Sequence, residues 1–202
     1  MNAVSTALRA SAEAVLERAD DLNRLDAQAG DGDLGVTMAS AATVVIELLP
    51  ELDEKSLPDV LRSCGAALAT KTPSTAGTLV ATGLLRAARA AGEEGDPADL
   101  TARLLDAARA GIAERGKAEV GSKTMLDALA PAAEAASAAA ARGEDARGQL
   151  AAAAEAAETG ARATVDMRPR HGRAGWLAER SAGHEDGGAR MVAIALAGAL
   201  RG

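Results

Sequence analysis

The chain has 202 residues and a formal net charge of −7, with no Phe or Tyr, one Trp and one Cys. That length suits a single domain, read here as 1–202, with a substantial core. Abundant alanine and few β-branched or aromatic residues exclude a sheet-built fold in favour of an all-helical one, and the negative charge excludes nucleic acid and acidic membranes as partners. The lone Cys64 has no internal disulfide partner and reads as a core thiol. Arg9, Glu13, Glu17 and Arg18 stand where a signal peptide needs an apolar run. No charge-free stretch reads as long enough to span a bilayer, so the expected location is cytoplasmic.

In chain order, the first predicted helix covers residues 3–25. Its apolar stripe is Leu8, Val15, Ala19 and Leu22, and Asp26 continues the same face. Leu-Asp-Ala-Gln-Ala-Gly-Asp-Gly-Asp follows at 25–33, so Asp26, Asp31 and Asp33 fall within eight residues, with glycines between them. An inward carboxylate is costly unless compensated. Like charges about 4 Å apart repel by roughly 4 kcal/mol even at an effective dielectric near 20. Such a set binds protons or a divalent cation, and oxygen ligands without nearby Cys or His favour magnesium, calcium or manganese. Magnesium is expected, since it completes its shell with water and phosphate, and a helix N-terminus opens at Leu34 or Gly35. The competing reading is a Gly/Asp turn with an Asp helix cap. An EF-hand is excluded because Ala42 stands where its bidentate Glu is required.

A second helix is predicted from Gly35 to Leu49, ended by Pro50. A third opens on Ser56 with Pro58 and Asp59 in its first turn and buries Leu57, Val60, Leu61, Cys64 and Leu68. The hydroxyl-rich loop at 71–78 starts a fourth, and reads either as a plain N-cap or as a phosphate contact. A fifth, capped around Asp96–Asp99, turns Leu100, Leu104, Ala108 and Ile112 inward and ends near Gly116. The sixth begins near Thr124 and contains Pro131, a predicted kink. An alanine-rich seventh spans about 145–166, and an eighth runs from about Gly188 to Leu200. Between the last two, residues 167–187 hold four arginines, both histidines and Trp176. A long loop in a compact domain is more often functional than incidental. Its arginines suit phosphates or an acidic partner surface. His171 and His184 read as satisfied loop residues, and Trp176 as a pin for the loop ahead of a stacking platform.

Four motifs in this order carry a resemblance: Leu-Asp with Gly-Asp-Gly-Asp at 25–33, Ser-Thr-Ala-Gly at 74–77, Arg-Gly-Lys-Ala-Glu with Gly-Ser-Lys-Thr-Met at 115–125, and Gly-Arg-Ala with Glu-Arg-Ser-Ala-Gly-His-Glu-Asp-Gly-Gly at 172–188. The chain resembles the L subunits of dihydroxyacetone kinases over nearly its whole length. The resemblance implies an eight-helix antiparallel barrel with the nucleotide–magnesium site at one end. It places two Mg²⁺ ions on Asp26, Asp31 and Asp33. It also implies contacts to ADP or ATP from Thr37, Thr75, Ala76, Gly116, Met125, Arg173, Asp186 and Gly188, and Leu34, Gly35 and Ser74 are added as neighbours in the same loops. Leu34 replaces a family histidine and Ala76 a serine found in some members, each removing a donor. The implied activity is phosphate transfer to dihydroxyacetone or a similar small ketose held on a separate K-type subunit, which also supplies the acceptor-activating residues. A phosphotransfer protein and a homodimer are further expected associations. A nucleotide-sensing module acting through a protein partner shares every binding residue and stays open. An isoprenoid-synthase-like enzyme is set aside for want of a second Asp-rich segment.

Overall fold

The computed structural model describes residues 3–169 and 182–202, and these are helical with no strand among them. The helices are α1 (Ala3–Glu17), α2 (Ala19–Ala29), α3 (Leu34–Leu48), α4 (Leu57–Lys71), α5 (Thr75–Gly92), α6 (Leu100–Gly116), α7 (Leu126–Ala141), α8 (Ala146–Ala163) and α9 (Gly187–Ala199). The expected first helix is thus two. The chain breaks at Arg18 (φ −109°, ψ 15°), and α2 restarts with Asp20 and Asp21 in its first turn, where carboxylates complement the helix dipole. Both pieces pack between α3 and α9, so they count as one broken rod of an eight-rod ring.

Each rod packs on the next in chain order and α9 returns onto α1, closing the barrel. The short connections from α2 through α8 make those neighbours antiparallel. Alanine sets the spacing. Ala128, Ala132, Ala136 and Ala139 on α7 and Ala153, Ala157 and Ala161 on α8 are all fully buried, at the three-to-four spacing of one helical face. At that crossing a Cβ on Gly160 would lie 2.3 Å from the Asp127 carbonyl oxygen, so only glycine fits.

Several local signals act as read. Ser56 caps α4 by accepting from the Asp59 amide, and Val60, Leu61, Cys64 and Leu68 are buried while Leu57 is half-buried. On α6 the buried positions are Ala102, Gly111 and Ile112, and Leu104 packs instead on a small satellite cluster around Leu61, Ala87 and Ala88. Pro131 lies within α7, which continues past it. Leu34–Leu52 is long and apolar enough to cross a membrane by length and composition. It nevertheless carries Glu47 and Glu51, and its α-helical part packs on α1, α2 and α4 with Met38, Ala41, Ala42 and Val45 buried.

Candidate functional site

In an up-and-down ring, alternate connections fall at the same end. The first, third and fifth here are 30–33, 72–74 and 117–125, and the described parts of the seventh are 164–169 and 182–186, so the described portions of the four motifs gather there. A cavity of about 1090 Å³ lies among them. Asp26, Asp31, Asp33, Leu34, Thr37, Ser74, Thr75, Ala76, Gly116, Met125, Asp186 and Gly188 all line it. Gly35 does not: a Cβ there would sit 1.8 Å from the Ala19 carbonyl oxygen, so its place is the tight α2–α3 crossing. Arg173, His171 and Trp176 lie outside the described residues. A shallower groove of about 550 Å³ between α4 and α5 carries no comparable chemistry, because its arginines Arg62 and Arg89 are paired to Asp59 and Glu93.

Asp26, Asp31 and Asp33 each offer a carboxylate oxygen, and these oxygens lie within 4.8 Å of one another. The loop is folded around Asp26, whose Oδ2 accepts from the amides of Gly32 (2.8 Å) and Asp33 (3.1 Å). Gly32 is left-handed (φ +79°), and a Cβ on Gly30 would lie 2.6 Å from Asp26 Oδ1. Asp33 stands at the N-cap of α3 but makes no capping bond. Asn23 Oδ1 on α2 accepts from the Val36 amide instead (3.1 Å). The simple helix-cap reading therefore fails for Asp33, and its side chain is left to the cluster. Three carboxylates gathered this closely, with oxygen donors only, fit a hard divalent cation of the magnesium type.

At the second motif both sequence readings apply. Ser74 Oγ accepts from the Gly77 amide (2.9 Å) as the cap of α5, while Ser74, Thr75 and Thr78 also face the cavity. The third motif is held from behind by Asp127, which is 3% exposed and accepts from the amides of Gly121 and Thr124. Sequence reasoning missed Asp127, although Thr124–Asp127 has the spacing of a capping box. It also missed Arg115, an exposed residue at the end of α6 that lines the cavity and has no carboxylate partner among the described residues.

At the fourth motif, Thr164 Oγ1 accepts from the Asp186 amide (2.9 Å), and Asp186 Oδ1 caps α9 through the Ala189 amide (2.7 Å). Glu185 receives a two-pronged guanidinium contact from Arg190, which also reaches Glu158. Asp186 is half-buried as a residue but its carboxylate is turned inward, and burial pushes its pKa up to about 7. The Asp127 carboxylate adds to the rise, while the Ala189 and Gly188 amides and the Lys123 ammonium oppose it. The folded chain thus holds a proton that the unfolded chain has lost above about pH 4. Asp186 stabilises the fold least once pH passes 7, its contribution falling as pH rises through that window. In the nucleotide-free chain, Asp186→Asn keeps a capping side chain and removes the ionisation. Its stability relative to the unsubstituted chain is expected to rise between pH 5 and pH 8. At about 1.4 kcal/mol per pKa unit, the roughly two units between pH 5 and the folded pKa make the gain at most about 3 kcal/mol. Urea titrations at the two pH values measure it, and parallel curves contradict the assignment.

Comparison with known proteins bears on the same segments. The DAK2 domain family matches residues 28–201. The ADP-binding subunit of the PEP-dependent dihydroxyacetone kinase of Escherichia coli is 36% identical over 173 residues, 85% of this chain and 82% of that protein. The D-erythrulose kinase of Mycolicibacterium smegmatis is 37% identical over 95% of this chain but only 33% of its own length. Among solved structures, the native dihydroxyacetone kinase of C. freundii superposes with a TM-score of 0.79 at 25% identity, covering all of this chain and 34% of that one. The same enzyme solved with AMP-PNP and Mg²⁺ gives 0.79 at 24% identity and so speaks to the fold. This chain therefore spans about a third of the length of those larger kinases. With the matched span reaching from the acidic loop to the end of α9, and a relative followed over most of both chains, this chain belongs to the DAK2 domain family.

Proposed function

We propose that the 202 residues form one magnesium-nucleotide-binding domain, the subunit of a kinase that presents a terminal phosphate to dihydroxyacetone or a similar small ketose on a separate K-type subunit. The observation that carries this is the Asp26–Asp31–Asp33 cluster, set in a cavity where α3, α5, α7 and α9 all begin. Four helix N-termini favour an anion, three carboxylates favour a cation, and a magnesium-bound di- or triphosphate satisfies both. The relative named for ADP binding supports the nucleotide class.

Asp26, Asp31 and Asp33 would hold the metal, two ions in this reading, and it would supply positive charge to neutralise the phosphates. Thr37, Ser74 and Thr75 line the cavity and would offer hydroxyls and helix-start amides to phosphate, and Arg115 would add a positive charge at the wall. Gly116, Met125 and Gly188 offer small or apolar surface to the rest of the nucleotide, with Arg173 the proposed further contact. Transfer forms a bond from the acceptor hydroxyl to the terminal phosphorus and breaks the bond to the leaving diphosphate, with the hydroxyl proton passing to a base on the partner. A phosphotransfer protein that recharges a retained ADP is the alternative to ATP as phosphate source, and such a subunit belongs in the cytoplasm.

Thermal denaturation tests the binding itself. At about 100 times Kd a ligand adds about 2.7 kcal/mol, enough to raise Tm by roughly 5–11 °C in a chain of this size. Mg·ADP is expected to give that rise and ADP with excess chelator is not. No rise at millimolar Mg·ADP contradicts the proposal.

A further inference from the structure

Lys123 is only 4% exposed, a burial lysine tolerates when its ammonium is satisfied. Its Nζ donates to the carbonyl oxygens of Met167 (3.3 Å) and His184 (2.7 Å), which lie near the two ends of the α8–α9 connection. The carboxylates of Asp186 and Asp166 act on the same ammonium and oppose the lowering of its pKa by burial. The lysine's own backbone is left-handed (φ 61°), and the adjoining loop is fixed by Asp127 through the Gly121 and Thr124 amides. A firmly held residue of the fifth connection thus reaches into the seventh. Met167 follows the 3₁₀ turn that ends α8, and His184 directly precedes Glu185, Asp186, Gly187 and Gly188, which line the cavity.

We propose that Lys123 is a positioning residue for the nucleotide site: one ammonium holds both ends of the α8–α9 connection and thereby sets the 185–188 wall against the cavity. The inference rests on the nucleotide reading above. A side chain that only filled space would leave two carbonyl oxygens without their donor and the wall free to move.

The test compares the full chain with Lys123→Met and with a control, Gln149→Leu. Gln149 is equally buried and joins the Ala98 and Glu144 carbonyls and the Ala102 amide, but at the opposite end of the barrel. Under conditions where each chain is folded by circular dichroism, Lys123→Met is expected to weaken Mg·ADP binding at least tenfold by calorimetry. In the nucleotide-free chain it is also expected to speed amide exchange at 184–188 but not at 26–33. Gln149→Leu is expected to lower Tm while binding within twofold of the unsubstituted chain and leaving exchange at 184–188 unchanged. Unchanged affinity and exchange in Lys123→Met overturn the proposal, as does equal weakening by Gln149→Leu. If Lys123→Met does not fold, Lys123→Gln is read by the same criteria, and failure of both to fold assigns Lys123 to stability alone and overturns the positioning role. If the unsubstituted chain itself does not bind Mg·ADP, the nucleotide reading fails, and the exchange measurement still decides whether Lys123 sets the wall.

Discussion

Asp31→Asn and Asp33→Asn are each expected to weaken Mg·ADP binding at least 100-fold, about 3 kcal/mol, while leaving the fold intact. Both side chains are exposed at the cavity, so the neutral amide costs the core nothing. Asp33 makes no capping bond that the substitution would break. What is lost is one of the three carboxylates proposed to hold magnesium, an ion that demands near-ideal geometry. Asp26→Asn is a less clean probe, because Asp26 Oδ2 also gathers the Gly32 and Asp33 amides and its change disturbs the loop. Calorimetric titration of the two exposed variants decides the matter, and undiminished affinity in both removes the metal assignment.

The chain by itself is expected not to phosphorylate a ketose, with activity appearing only when a K-type subunit is added. An inventory of the cavity supports this. Asp26 is taken by backbone amides, Glu185 by Arg190 and Asp186 by the start of α9, while Asp31 and Asp33 belong to the proposed metal site. Lys123 is turned to two carbonyl oxygens. His184 is exposed and is absent from the lining. None of these is placed to take a proton from an acceptor hydroxyl, and transfer requires that hydroxyl in line with the terminal phosphate. The assay is the chain with Mg·ATP and dihydroxyacetone, alone and then with a candidate K subunit from the same genome. Robust turnover by the chain alone refutes the two-subunit reading, and silence with every K subunit favours a nucleotide-sensing role.

The parts of the molecule legible in the sequence are those encoded by neighbours in the chain. Ser56, Ser74 and Asp186 cap helices within three residues of themselves. The acidic loop is visible because its three carboxylates crowd into eight positions after an apolar stripe. What stayed hidden depends on residues far apart. Asn23 caps α3 across the loop and frees Asp33 from that task, and Gly35 answers to a carbonyl on α2. Lys123 finds its partners only once α8 and α9 close the ring. The break at Arg18 was the subtlest, since its signal is no more than Asp20 and Asp21 preferring a first turn to a helix interior. Along Leu34–Leu52 the only local sign against lipid is the pair Glu47 and Glu51, since apolar composition alone does not distinguish a helix packed on others from one packed in lipid.

The central claim, that Asp26, Asp31 and Asp33 hold the cation that anchors a nucleotide, is tested most directly by a crystal of the chain grown with ADP and Mn²⁺ in place of Mg²⁺ and measured for anomalous scattering. Manganese peaks for the two ions are expected in coordination contact with carboxylate oxygens of the three aspartates, near the roughly 2.0–2.1 Å of a magnesium site, beside the diphosphate of ADP. Bound ADP with no peak at these residues, or with the metal held elsewhere, would contradict it.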